Sequence, residues 1–202
     1  VAPAFVLTTN VDGFFLRSGV APAEAIGEIH GSLARWQCGG VPSGKKFPLV
    51  QRPRCSDAFA DPPSAEGTDY DAVRYHGDPP RCPKCNDGWL RPHVFLFGDG
   101  DRFVDDREAL GLAAYQRWRE AVLAALRADA SLRLVVVEVG CGLRVPNLRK
   151  RCEEFFAESP VGQCEFIRIN PEFEDQKIVA SPSVALRAPG LAALRRLHRE
   201  VQ

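Results

Sequence analysis

From about residue 38 to residue 88 the chain runs through Gly39-Gly40, Pro53, Pro62-Pro63 and Pro79-Pro80, with serine and aspartate interspersed and few apolar side chains. Proline removes a backbone donor and glycine costs conformational entropy, so this stretch supports no long helix or strand. It also buries too little apolar surface to order itself, and it either stays disordered or is held by a staple. The cysteines within it are the available staple. Cys82-Pro83-Lys84-Cys85, followed by Asn86-Asp87-Gly88, has the spacing and the turn residues of one half of a zinc knuckle.

On either side of that stretch the pattern is layered. Ala4-Phe5-Val6-Leu7-Thr8-Thr9 reads as a buried strand that ends at the polar Asn10 and the turn-forming Asp12-Gly13. Residues 106 to 128 carry Leu110, Ala114, Trp118, Val122 and Leu126 at spacings of four, with Arg117, Arg119, Glu120 and Arg127 mostly off that stripe, which predicts an amphipathic helix. Leu132 to Val139 is a near-continuous aliphatic run suited to an interior parallel strand covered on both faces. A helix near 147 to 157, a strand from Cys164 to Ile169 and a basic helix near 189 to 200 follow. Strands alternating with helices predict an α/β fold. Glu138, inside the aliphatic strand, is costly to bury alone and predicts an arginine partner.

A chain of 202 residues, 45% hydrophobic, suffices for one large domain or a domain with a small insert. Its 26 basic and 26 acidic side chains cancel, so the charge favours neither nucleic acid nor an anionic membrane as the principal partner. No apolar run approaches the roughly 20 residues that cross a bilayer, and the N-terminus lacks the pattern of a secretory signal. Seven cysteines, an odd count unevenly placed, fit thiols or metal ligands in a reducing compartment, hence an intracellular setting, cytoplasm or nucleus. The absence of methionine, even at position 1, and the opening on a strand-like run read as a fragment.

Several segments carry chemistry. In open α/β sheets ligands collect beyond the carboxyl ends of strands, where Asn10 and Asp12 fall. His30, in Glu28-Ile29-His30-Gly31-Ser32, has an unperturbed pKa near neutral and suits proton transfer. Gly140-Cys141-Gly142, between a strand and a helix, lets backbone amides approach phosphate. Taken singly, each has a plain reading: a helix-capping turn, a structural histidine, a lone Gly-x-Gly. Their order, with Arg91-Pro92-His93-Val94-Phe95-Leu96-Phe97-Gly98 after the cysteine pair, resembles the sirtuin family of NAD-dependent protein deacylases.

That resemblance implies a Rossmann-like parallel sheet with helices on both faces and a small zinc-binding module inserted. The large domain would take residues 1–36 and 93–202, and the module residues 37–92. Thr8-Thr9-Asn10-Val11-Asp12 is similar to the family's Thr-Gln-Asn-Ile-Asp, which makes Asn10 the residue for the nicotinamide ribose and Asp12 that for the carboxamide; Thr9 is a shorter substitute for glutamine. His30 would be the general base that deprotonates a ribose hydroxyl after the acyl-lysine oxygen has displaced nicotinamide. The products would be free lysine, nicotinamide and acyl-ADP-ribose. Val94 and Phe97 would line an acyl-lysine tunnel, and Gly98 and Asp99 would pair with the substrate peptide as an added strand. Gly140 matches the glycine of the family's Gly-Thr-Ser while Cys141 and Gly142 replace its hydroxyl residues, the three together meeting NAD, and Asn170 would meet the adenosine ribose. The family's first Cys-x-x-Cys would begin at Cys38, where Val41 stands in place of its partner, so the expected Zn2+ ligands are Cys38, Cys55, Cys82 and Cys85, with His76 in reserve. The family's first strand and glycine-rich loop have no counterpart ahead of the Asn-Val-Asp turn, and little activity is expected of the chain in isolation. Two other readings remain open: an NAD-dependent ADP-ribosyltransferase, and a catalytically degenerate module that binds NAD or peptide.

Overall fold

The computed structural model describes residues 4–40, 55, 58–59, 68–69, 74–75 and 80–200. His76, the reserve metal ligand, lies outside them. The chain divides into two compact units, Ala2–Tyr115 and Gln116–Gln202.

In the first unit, β1 (Val6–Thr8) pairs in parallel with β2 (Ile26–Glu28), and the connection between them holds the short helix α1 (Phe14–Ser18). Parallel neighbours cannot be joined by a tight hairpin, so the polar Asn10–Gly13 turn leaves the sheet at the end of β1 and the chain returns before β2. An antiparallel sheet follows: β3 (Gly31–Cys38) lies between β4 (Ala58–Phe59) and β7 (Leu90–Val94). A separate two-stranded ribbon joins β5 (Thr68–Asp69) to β6 (Arg74–Tyr75). The long helix α2 (Arg107–Ala128) contains the division between the units.

The second unit is a three-stranded parallel sheet in the order β10–β9–β8, built from β8 (Leu134–Val139), β9 (Cys164–Ile169) and β10 (Val184–Leu186). Helix α3 (Asn147–Glu158) makes the crossover from β8 to β9, and α4 (Gly190–Glu200) closes the described chain. Its apolar core gathers Leu123, Val136, Phe155, Cys164 and Phe166, with Trp118 and Phe156 packed against them. Gln163 ends α2 by donating its side-chain amide to the carbonyls of Leu126 and Asp129, each at 2.9 Å, which satisfies orphan acceptors of the last turn.

Two expectations need correction. The buried face of α2 is Glu108, Tyr115, Leu123 and Leu126, whereas Leu110 is 67% exposed. Steps of four residues advance about 40° beyond a full turn, so Leu110 and Leu126 stand about 160° apart and no stripe of strict fours follows one face. Arg119 belongs near the buried face, paired with Glu158 at 2.6 Å and lying over the Phe155 ring. The second correction concerns β8, which is an edge strand covered on one face: Val136 and Glu138 point inward, while Val135, Val137 and Val139 are 54%, 49% and 42% exposed. A run of valines satisfies a buried face whatever the other face meets, so sequence alone did not reveal the open side.

The helix register makes a direct prediction. Leu123→Ala loses about 2–5 kcal/mol in urea denaturation, as for a large-to-small core change. Leu110→Ala changes stability by less than about 0.5 kcal/mol, as for a surface site.

Candidate functional site

The chemistry-bearing residues of the first unit are organised around the ends of β1, β2 and β3. Thr8 Oγ1 accepts a hydrogen bond from the Asn10 amide at 3.0 Å, and the Thr8 carbonyl accepts one from Ile29. Asp12 Oδ1 accepts the Phe14 amide at 2.9 Å, and the Asp12 carbonyl takes the Arg17 guanidinium at 2.7 Å. The Leu33 amide donates to the Val11 carbonyl at 2.7 Å. The turn is thus laced to the segment that carries His30. Glu28 also lies there, its carboxyl pushed up by burial and by the charge of Asp12. No motif had singled it out; its signal in the sequence was an acid two residues ahead of the histidine at a strand end.

Gly31 explains why the histidine is followed by glycine. It turns at φ 85°, and a Cβ there would lie 2.0 Å from the His93 carbonyl, so β3 can pass β7 only without a side chain at this point. The His30 carbonyl accepts the Phe95 amide at 2.9 Å and its ring lies tilted toward Phe95, with centroids 6.0 Å apart. Half-burial pushes the His30 imidazole below its ordinary value, which leaves it neutral and able to accept a proton at pH 7.

At the end of β7 Val94 is half-buried, and beyond the strand Phe97 is 93% exposed. Asp99 is turned inward: its Oδ2 takes the Arg91 guanidinium at 2.7 Å and the Leu96 amide at 2.8 Å. It therefore shapes the turn that presents Phe97 and Gly98.

The four cysteines converge. The sulfurs of Cys38, Cys55, Cys82 and Cys85 all lie within 4.8 Å of one another, with Cys38 to Cys85 at 3.9 Å and Cys55 to Cys82 at 3.7 Å. A tetrahedral Zn2+ with bonds of about 2.3 Å separates its sulfurs by about 3.8 Å, so the set fits zinc. Gly88 packs flat against it, since a Cβ there would be 2.7 Å from the Cys38 sulfur. The Gly88 amide donates to the Cys85 sulfur at 3.3 Å, and with the Asp87 amide it holds that thiol down to about 6, the thiolate form a metal ligand requires.

His93, Asp106 and Glu108 form a second cluster of ligand-type atoms. Arg35 already supplies its cation, 3.4 Å from Asp106 and 3.9 Å from Glu108, while His93 Nε2 faces the Val104 carbonyl at 2.7 Å and its ring stacks on Phe103. Burial pushes the Glu108 carboxyl up to about 7. This group is a buried polar joint between β3, β7 and the start of α2.

In the second unit, Gly140-Cys141-Gly142 leaves the end of β8. Gly140 turns at φ 71° with nothing within 4 Å of where a Cβ would stand, so its backbone is open to a ligand. Asn170 is buried: its Nδ2 donates to the Cys141 carbonyl at 3.1 Å, and its Oδ1 accepts the amides of Glu172 and Phe173 at 2.8 and 3.1 Å. The expected partner of Glu138 is Arg168, at 2.7 Å, with Arg149 at 3.5 Å on the same carboxylate.

No protein-family model matches the chain. It is 38% identical over 94 residues to the NAD-dependent protein deacylase 2 of Pseudomonas aeruginosa, a stretch that is 46% of this chain and 27% of that protein. A solved Sir2 homologue in complex with NAD matches with a TM-score of 0.55 at 19% identity, over 98% of this chain and 57% of its own. The chain is thus similar to sirtuins in part of its sequence and in its fold. A second Sir2 homologue, a histidine-to-asparagine mutant in complex with ADP-ribose, matches with a TM-score of 0.51, also at 19% identity, over 98% of this chain and 59% of its own. The chain therefore matches about a quarter of the length of its curated relative and spans less than two thirds of each solved chain. Its α/β architecture, with parallel sheets, helices and a four-cysteine cluster, is the Sir2 fold.

The cysteine geometry predicts one zinc per chain by elemental analysis. Cys55→Ser loses that zinc to a chelator concentration at which the wild type retains it, whereas Cys152→Ser, in the other unit, does not. Equal retention by all three would contradict a four-thiolate site.

Proposed function

We propose that this chain carries the catalytic histidine, the zinc module and nucleotide-binding strands of an NAD-dependent protein lysine deacylase. The observation that carries the reading is His30: a half-buried, neutral imidazole at a strand end, followed by a glycine that its neighbouring strand makes obligatory, and laced to the Asn10–Gly13 turn. The activity named for the Pseudomonas relative, and the NAD and ADP-ribose held by the two Sir2 homologues, support the cofactor and the reaction class. NAD, as co-substrate, supplies a ribosyl carbon that accepts the acyl oxygen as nicotinamide departs.

The chain's own residues would divide the work. Asn10 and Asp12, with Thr9 beside them, bind the nicotinamide ribose and carboxamide. His30 takes the proton from a ribose hydroxyl so that the hydroxyl can receive the acyl group. The exposed Phe97 and the half-buried Val94 accept the acyl-lysine side chain, and the Gly98 backbone, held by Asp99, pairs with the peptide. Gly140, Cys141 and Gly142 meet the nucleotide through their backbone, and Asn170, which ties that turn together, meets the adenosine ribose. Cys38, Cys55, Cys82 and Cys85 hold zinc as a structural ion. We assign the sirtuin core to residues 1–36 and 93–202 and the module to 37–92. The substrate is an acylated protein, and the setting is intracellular, consistent with seven cysteines outside any disulfide. No helix among the described residues is long and apolar enough to cross a membrane.

The test uses the intact gene product that carries this chain, with an acetyl-lysine peptide and NAD. His30→Ala should lower kcat by about 10²–10⁴-fold, as for loss of a general base. Because burial lowers the pKa of His30, its neutral form persists below the ordinary 6.5, so the acid limb of kcat/KM should have its midpoint below that value. Full activity in His30→Ala would overturn the assignment.

A further inference from the structure

Four charged side chains in the second unit are almost completely buried: Glu138, Arg149, Glu153 and Arg168. Arg149 and Glu153 stand one turn apart on α3, while Glu138 and Arg168 face each other across β8 and β9. Arg168 joins the two acids, with Glu138 Oε1 at 2.7 Å and Glu153 Oε1 at 2.5 Å. Such a network is weak evidence for stability, because a well-packed apolar replacement is often as stable or more so. What it contributes must therefore be sought in what its remaining polar atoms hold.

They hold one segment. Between β9 and β10, residues 171–183 form neither helix nor strand, a length of irregular chain that in compact domains is usually functional. Arg149 donates to the carbonyls of Phe173, at 2.5 Å, and Gln176, at 3.0 Å, and Arg168 donates to the same Gln176 carbonyl. The second oxygen of Glu153 accepts the amides of Ile178, Val179 and Ala180 at 2.8, 2.5 and 3.1 Å. Carbonyls face the arginines and amides face the glutamate, so the sign of each charge selects which backbone groups it fixes. The held segment in turn abuts the glycine turn. The Phe173 ring lies 3.9 Å from where a Cβ of Gly142 would stand, and Asn170 ties the Phe173 amide to the Cys141 carbonyl.

We infer that Glu138, Arg149, Glu153 and Arg168 are positioning residues that clamp Pro171–Ala180 against the Gly140–Gly142 turn and so set the shape of the nucleotide-binding wall. The inference rests on the reading of that turn as part of the NAD site. The network touches no reacting atom, and its effect falls on nucleotide affinity.

Arg149→Lys keeps the positive charge near Glu138 and loses the fork that grips two carbonyls. In the intact gene product it should raise the KM for NAD about tenfold, the worth of one charge-assisted hydrogen bond, and leave kcat at saturating NAD within about twofold. The KM for the acyl-lysine peptide should not move. Glu153→Gln, nearly isosteric, is the second variant; it should shift the NAD KM in the same direction and speed hydrogen exchange at Ile178, Val179 and Ala180. An unchanged NAD KM in a folded variant, or a fall in kcat with NAD KM constant, would overturn the inference while leaving the deacylase reading intact. A wild-type protein that neither bound nor consumed NAD would overturn that reading and, with it, the nucleotide role of the segment.

Discussion

The first unit depends on the meeting of four thiols. Cys38 ends β3 and Leu90 begins β7, the two residues are register partners, and about fifty residues of chain separate them. Closing a loop of that length costs about 3.5 kcal/mol from the length-dependent term alone. Zinc held by thiolates contributes on the order of 10 kcal/mol or more in small zinc domains, enough to offset the closure. Once the Cys38 end is fixed, the ladder runs to Gly31 opposite Val94, and the Phe95 amide meets the His30 carbonyl. The metal cluster and the histidine thus occupy opposite ends of one strand pair, and a slip in register at one end would displace the other.

The second unit solves a different problem with buried charge. Its sheet has an apolar core around Phe166, yet the layer between α3 and the strands also holds two arginines and two glutamates. Removing one member would leave a charge without its counterpart, at a cost of about 3–5 kcal/mol, although the assembled network need not add to stability. Its polar atoms are spent on the backbone of a segment that lacks ladder or helix bonds of its own. Precision in an irregular segment, rather than stability, is what such a network supplies.

The parts legible in the sequence were those set by local pattern. Cys164 to Ile169 is a strand with those same bounds, and α3 and α4 lie within a residue or so of their expected ends, because apolar runs and breakers fix such elements locally. The four thiols could be grouped because the family resemblance places a first cysteine pair at Cys38, Cys55 is the nearest remaining thiol, and Cys82 and Cys85 have knuckle spacing. The face of α2 was not legible, since steps of four drift around a helix and only tertiary packing decides which arc is buried. Nor were the partners of Glu138: an acid in a valine strand announces that some cation exists, but Arg149 and Arg168 are brought to it by a crossover and a strand register. Asn170 is the expected residue for the adenosine ribose, and Gly98 with Asp99 the expected edge for the peptide; the side chains of Asn170 and Asp99 also fix turns, a use that a short polar side chain does not announce in sequence.

The proposed reaction, in which a neutral His30 promotes acyl transfer from lysine to a ribose hydroxyl, is tested most directly by mass spectrometry of the products that the intact gene product forms from NAD and an acetyl-lysine peptide. Deacylation gives free-lysine peptide, nicotinamide and acetyl-ADP-ribose in equal amounts. Nicotinamide formed together with ADP-ribose on a protein side chain, the acetyl group still on lysine, would contradict it.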